Sequence, residues 1–574
     1  QILAGQVSEP AANEAKLLNP QELATGYRLA CRTIPLGDCK VRVPPESLTT
    51  PQRTQVEGIE TPVSPEPPVT SFTVKLTVPS LDDLRADDER LLAALADQHV
   101  AAATIDLEAQ RQISPQMREG DWSVRVAVRE HEIVAVLPAS RRPLGLAIDL
   151  GTTKIAGYLM DLETGRTLAS RGMMNLQIAY GEDVIARLAF AKGSPTHAAQ
   201  MQDLVVGALN EIAAELCAAV GAEPAASTSD IVEAVVVGNT AMHHLFLRLP
   251  VDQLAHAPYL PAVSSALDVK ARDVGLRIAP GGYVHLLPNL AGYVGADHVA
   301  MLLATGMNHA TGVVLALDIG TNTEVCLANH GRLTSLSCAS GPAFEGAHIR
   351  HGMRAANGAI EHLRIVDNRV EIQTIGGAPP AGLCGSGILD ALAQLYQHGV
   401  VDARGRMGDH PRVRGDGAGR EFVLVTEGER LDVPLSPGGG NERSAITFTQ
   451  GDVRELQLAK GAMRTGIQVL LDIHNLSAAH IDQVIIAGAF GTYIDVQSAI
   501  AIGMLPPLPL DRFRQVGNAA GMGAKLALIS RSKRTEAQAL AEQVGYVELA
   551  AIPGFSRTFA QAMYLGPDLF PNPA

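Results

Sequence analysis

The chain has 574 residues, 47% of them hydrophobic and 18% charged, a globular composition too long for one core. Length alone sets an expectation of roughly three to five domains. A net charge of −14 without a long basic run argues against nonspecific nucleic-acid binding, and no apolar run reaches the length of a membrane helix.

No signal peptide is visible, so a cytoplasmic location is expected. The first residues, from Gln1, read as mid-domain sequence, and the expectation is that further sequence precedes them. The cysteines are Cys31, Cys39, Cys217, Cys326, Cys338 and Cys384. None forms a CxxC pair, so no closed zinc or cluster site is expected, and Cys326 and Cys338 read as core thiols.

Residues 1–48 form a small unit. Val7–Pro10 reads as a strand end, Leu17–Leu23 as a short helix and Asp38–Pro44 as an edge strand. Residues 49–70 carry Pro51, Pro62, Pro65, Pro67 and Pro68 and read as an extended linker. Residues 71–140 read as strand, helix, strand, strand. Phe72–Leu76 alternates, Leu81–His99 has helical spacing, and Val124–Val128 with Ile133–Val136 predicts a hairpin. This small α+β domain carries no visible chemistry.

From Leu144 on, apolar strand-like runs alternate with Ala-rich helices, the α/β signature. A loose repeat stands out. Leu146–Lys154 and Leu315–Glu324 each run apolar strand, Asp, then Gly-Thr. Each is followed by an apolar strand ending in glycine, Val235–Thr240 in the first case and Val484–Gly491 in the second. Residues 144–574 therefore read as two related halves.

Such loops bring backbone N–H groups and hydroxyls around phosphate oxygens, and glycine permits the close approach. Asp149 and Asp318, at the strand ends, suit a hydrated magnesium ion. Gly151, Thr152, Thr153 and Lys154 would contact phosphate from one side, and Gly238 and Asn239 are further candidates for binding the nucleotide. Gly320, Thr321 and Asn322 would do so from the other. Gly488 and Gly491 suit an adenosine-binding turn, and Gly385 and Ser386 open a helix whose N–H groups face phosphate or base. Glu345 is positioned to order either the attacking water or the magnesium. Two such loops across a cleft predict an actin-like ATPase fold binding ATP and Mg2+. His243 and His244 read as helix-surface or interface residues, because adjacent helical residues diverge and no ligand partners lie at metal spacing. Asn289–Asp297 fits either the cleft or a partner surface.

Taken together, Asp149–Lys154, Gly238–His244, Asp318–Glu324, Ser340–Gly346, Gly382–Gly387 and Gly488–Asp495 resemble the reductive activators of corrinoid proteins. Thr449–Ala462 and Ile500–Pro506 extend the resemblance across nearly all the chain from 144. The start of the chain also resembles that family, in which a plant-type [2Fe–2S] ferredoxin domain precedes the ATPase. Gly5–Pro10 and Gly26–Thr33 resemble its later segments. The resemblance implies that Cys31 is the fourth cluster ligand, that the other three are absent from this sequence, and that this chain by itself holds no cluster. Cys39 falls outside the pattern and reads as structural. The resemblance further implies ATP-dependent return of a Co(II) corrinoid protein to Co(I), a low-potential electron donor, and a homodimer. A small-molecule kinase on the same fold would need a base such as Asp297 or Asp183, and a chaperone-like ATPase is a further reading. An activator of radical dehydratases would need cluster cysteines for which no motif stands here.

Overall fold

The computed structural model describes residues 2–10, 23, 25–28, 33–37, 39–41, 56, 58–59, 63–181, 183–221, 225–430, 445–488 and 490–567. At the start, β1 (Ile2–Ala4) pairs antiparallel with β2 (Lys40–Val41), and Val7 bridges Pro35. Cys31 and most of Leu17–Leu23 lie outside the described residues. Cys39 is exposed with a free thiol, so it is no part of a core.

A four-stranded sheet follows, from β3 (Val69–Lys75), β4 (Thr104–Ile105), β5 (Ser123–Arg129) and β6 (Glu132–Pro138) in the order β3-β5-β6-β4. The expected hairpin is β5–β6. The expected helix is shorter than its pattern: α1 spans Asp87–Asp97, because Ser80 and Asp83 pair with each other first. A second helix, α2 (Leu107–Glu119), was not expected; it carries Pro115 within it. Asp106 caps it, and Ala109, Ile113 and Met117 turn one stripe inward at helical spacing.

One face of this sheet is buried under α1 and α2. The other packs through Val69, Ala127, Ala135 and Leu137 on the core of the following unit. An ionic seam closes that contact. Arg129 and Arg534 flank the fully buried Glu233 at 3.3 and 2.8 Å, and Lys270 and Arg272 hold Asp106 at 3.0 and 2.9 Å. The preceding segment is also docked: Gly58 bridges Gly517, and Glu66 bridges Ser530.

Two six-stranded sheets make up the rest of the framework. The first contains β7 (Leu144–Leu150), β8 (Lys154–Asp161), β9 (Thr167–Met174), β10 (Ile231–Gly238), β11 (Leu267–Lys270) and β12 (Tyr283–Leu286), backed by α3 (Val184–Ala191), α4 (Pro195–Ala219) and α5 (Thr240–Leu247). Helix α6 (Ala296–Thr305) leads to the second sheet. This is built from β13 (Val313–Ile319), β14 (Thr323–Asn329) and β15 (Arg332–Cys338), to which the later strands are added.

Into this second half are inserted a three-stranded sheet of β16 (Ala359–Val366), β17 (Arg369–Thr374) and β18 (Gly382–Leu383), then helix α7 (Gly385–Gln397). Another three-stranded sheet follows, of β19 (Val413–Arg414), β20 (Glu421–Val425) and β21 (Ile446–Thr449). Helix α8 (Gln450–Ile473), β22 (Gln483–Ala487), α9 (Val496–Ala501), β23 (Phe513–Gly517), α10 (Ala519–Ile529), α11 (Arg531–Gln543), β24 (Gly545–Tyr546) and α12 (Phe555–Ala562) complete the chain.

The repeat read in the sequence is the pseudo-symmetry of these two sheets. In each, an antiparallel meander (β7-β8-β9, β13-β14-β15) receives a parallel strand beside its first member, β10 or β22. Asp149 aligns with Val237 and Asp318 with Ala487, so both aspartates end their strands at equivalent heights. The strands are buried on both faces, which accounts for their continuous apolar runs. No helix among the described residues is long and apolar enough to cross a membrane.

Candidate nucleotide site

Between the two sheets lies a cleft lined by both turns that follow the matched strands. Gly151 makes the first turn tight: a Cβ there would strike the Lys154 carbonyl oxygen. Asn175 Nδ2 holds the Gly151 carbonyl at 2.9 Å, and Asn239 Nδ2 donates to Thr152 Oγ1 at 2.8 Å. Asn239 also caps α5 through Met242 N. In the second turn Thr321 Oγ1 donates to Glu345 Oε1 at 2.6 Å. The two turns meet where the hydroxyls of Thr153 and Thr321 stand 3.1 Å apart.

Thus Asp149, Gly151, Thr152, Thr153, Lys154, Asn239, Asp318, Gly320, Thr321, Asn322, Glu345, Gly385, Ser386 and Gly488 share one cleft. Gly238 and Gly491 are not among its lining residues. A Cβ on Gly238 would lie 2.7 Å from the Leu150 carbonyl oxygen, and one on Gly491 would strike that of Ala487, so both serve strand packing behind the cleft. Gly488, at φ +91°, would bring a Cβ within 2.8 Å of Asp318 Oδ1. Gly385 opens α7 beneath the stacked rings of Phe344 and Phe490, whose centroids are 4.9 Å apart.

The cleft floor is acidic. Asp149 is pushed up to about 6 by burial, which outweighs its hydrogen bond from Asn518. Asp318 is pushed up to about 8 by burial and then by the charges of Asp297 and Asp149. Asp297 and Glu324 are raised too, again chiefly by burial. Carboxylates gathered in this way favour a divalent cation. No three His, Cys, Asp or Glu side chains among the described residues form a ready metal cage. That donor set fits magnesium, which keeps several waters and leans on one or two carboxylates plus phosphate.

Four cleft residues carried no assigned role in the sequence reading, or a different one. Asp297 stands in the first turn of α6 and lines the cleft, as a kinase base would. Asp183 instead caps α3 through Ala186 N and is not among the cleft residues. Glu324 follows the second turn, Arg354 comes from the loop before β16, and Asn518 caps α10. Asn289 accepts from Ala296 N at 3.2 Å and so holds the start of α6.

His243 and His244 are not surface residues: both are buried on α5. His244 bonds the Thr240 carbonyl through Nδ1 at 2.7 Å and accepts from Ala262 N at Nε2. Burial pushes His243 down to about 3 and lowers His244, so both stand as neutral core groups. Cys326 and Cys338 are fully buried free thiols, as expected.

Two related halves, each presenting an Asp-led Gly-Thr turn to a shared cleft, define a nucleotide-binding ATPase of the actin-like ASKHA class. Known proteins narrow this further. Residues 58–142 match the RACo linker region, 144–310 the RACo middle region, and 312–572 the C-terminal domain of RACo, the ASKHA domain. The corrinoid activation enzyme RamQ of Eubacterium limosum is 36% identical over 461 residues, covering 78% of this chain and 75% of RamQ. The [Co(II) methylated amine-specific corrinoid protein] reductase of Methanosarcina barkeri is 24% identical over 433 residues, covering 70% and 72%. A solved structure of a reductive activator for corrinoid, iron-sulfur protein superposes with a TM-score of 0.77 at 35% identity, covering 99% of this chain and 91% of that one. The chain belongs to the RACo family of reductive activators of corrinoid proteins.

Proposed function

We propose that this chain uses ATP to return an inactive Co(II) corrinoid protein to Co(I). The observation that carries the reading is the pair of phosphate turns closing on each other at Thr153 and Thr321, in a chain of this family. Asp149 and Asp318 would hold magnesium through its water shell. Lys154, Thr152, Thr153, Thr321 and Asn322 would hold the phosphates, and Gly385, Ser386 and Gly488 would admit the adenosine. Glu345, fixed by Thr321, would order water. Magnesium, when bound, supplies charge neutralisation between the phosphate oxygens.

One electron reduces Co(II) to Co(I), and a low-potential donor provides it. A [2Fe–2S] cluster takes four ligands, so Cys31 alone does not satisfy one. Cys31 would serve as one of those four ligands. ATP drives the uphill transfer to the extent that its binding favours one of two docking states over the other. We further propose a boundary scheme of residues 1–48, 49–70, 71–140 and 144–574, and a homodimer.

The test is the visible spectrum of a Co(II) corrinoid protein mixed with this chain and a low-potential reductant. Co(I) should form only with ATP, and Asp149→Ala and Asp318→Ala should abolish it. Reduction indifferent to ATP, alongside phosphorylation of a small metabolite, would move the assignment to a kinase.

A further inference from the structure

Arg354 lines the nucleotide cleft and is half-buried there. Among the described residues no carboxylate pairs with it. Its neighbour Arg350, by contrast, reaches Glu421 at 2.7 Å. A guanidinium cannot shed its charge, so an arginine placed this way leaves an anion position open.

Its placement is rigid. Met353 N donates to the Leu383 carbonyl at 2.8 Å, Leu383 N to that of His351 at 2.8 Å, and Gly352 N to that of Ile349 at 2.9 Å. Gly346, at φ +87°, sits so close that a Cβ would lie 2.9 Å from Met353 N. The loop carrying Arg354 is therefore tied by its backbone to the strand that leads into α7. The same loop begins just after Glu345, the acceptor of the Thr321 hydroxyl. Arg354 also acts on Lys154, whose ammonium is destabilised by burial, supported by Glu345 and opposed by Arg354. Two cations thus face one region of the cleft.

We propose that Arg354 binds the terminal phosphate of the nucleoside triphosphate and stabilises it during hydrolysis. This rests on the ATPase reading above. In that reaction a water oxygen bonds to the terminal phosphorus and gives up a proton to solvent, the bond from phosphorus to the bridging oxygen breaks, and its electron pair leaves with the diphosphate. Charge is spread over the terminal oxygens, and a planar fork of N–H donors fits them better than an ammonium does.

The experiment compares Arg354→Ala and Arg354→Lys with the parent chain. It measures phosphate release from ATP, affinity for ADP and for a non-hydrolysable triphosphate, and thermal unfolding. Arg354→Ala should cut turnover by on the order of 100-fold and triphosphate affinity by about 10-fold, with ADP affinity within about threefold. Arg354→Lys should recover only part of the turnover. Unchanged turnover, or equal losses of ADP and triphosphate affinity, would overturn the proposal. Should Arg354→Ala fail to fold, Arg354→Lys and Arg354→Gln decide by the same comparison. A parent chain that binds no nucleotide would instead defeat the ATPase reading itself.

Discussion

Asn518 Nδ2 donates to Asp149 Oδ2 at 2.9 Å, while its own Oδ1 accepts from Gly521 N at 2.7 Å. One side chain thus caps the helix that follows β23 in the second sheet and braces Asp149 beside the first Gly-Thr turn. Asn518→Ala removes both bonds, and a lost bond at a buried charge costs about 1–3 kcal/mol. Magnesium–ATP affinity should fall roughly 10-fold by titration calorimetry, in line with that cost. Asn518→Asp keeps the cap, places a like charge beside Asp149, and should weaken binding further. Affinity equal to the parent in both variants would remove Asn518 from the site.

The Thr153–Thr321–Glu345 contacts make an ordered prediction. Thr321→Val breaks both links, whereas Thr153→Val breaks one. ATP turnover should fall by on the order of 100-fold in Thr321→Val and by less in Thr153→Val. Steady-state phosphate release checks the order, and a larger defect in Thr153→Val would refute it.

Glycine at 385 is a steric requirement. A Cβ there would strike the Phe344 carbonyl oxygen and come within 2.6 Å of the Phe490 ring. Gly385→Ala should abolish nucleotide binding in a thermal-shift titration. Gly207, exposed on α4, is the contrast, for a Cβ there meets nothing within 4 Å. Gly207→Ala should stabilise by about 1 kcal/mol through helix propensity alone.

Acid should destabilise the fold through its buried histidines. His243 and His298 are held down to about 3 by burial, against an ordinary 6.5. Between those values the unfolded chain takes up protons that the native chain refuses. Stability from this source is complete above pH 6.5 and is lost as pH falls toward 3, at about 1.4 kcal/mol per pKa unit and group. His298→Gln should flatten the acid limb of a melting-temperature profile. An unchanged slope would place the acid sensitivity elsewhere.

The two Gly-Thr turns were legible because their residues are local. Asp, Gly and Thr stand consecutively after an apolar strand, and the pattern occurs twice. Asn518 and Arg354 left no such trace, since each reaches the cleft from a separate loop or cap and only tertiary packing brings it there. Helix α2 was hidden by Pro115, although its buried face repeats at helical spacing. His243 and His244 were misplaced on the surface because adjacency in sequence says nothing of what packs over a short helix. The polar atoms of His244 meet Thr240 and Ala262, partners with no signature of their own. The ionic seam around Glu233 was equally silent, its arginines arriving from both ends of the chain.

Gly58 fixes how this protein can be taken apart. A side chain there would press within 2.7 Å of Met522 Cγ and 2.9 Å of the carbonyl oxygen of Asn518, the residue that braces Asp149. Ile59 N donates to the Val516 carbonyl at 3.1 Å beside it. A truncation made after this point, to isolate the ATPase as a tidy module, would strip backing from its own nucleotide site. The boundary convenient for cloning and the boundary of mechanical integrity therefore differ, and a fusion or deletion should begin upstream of residue 56.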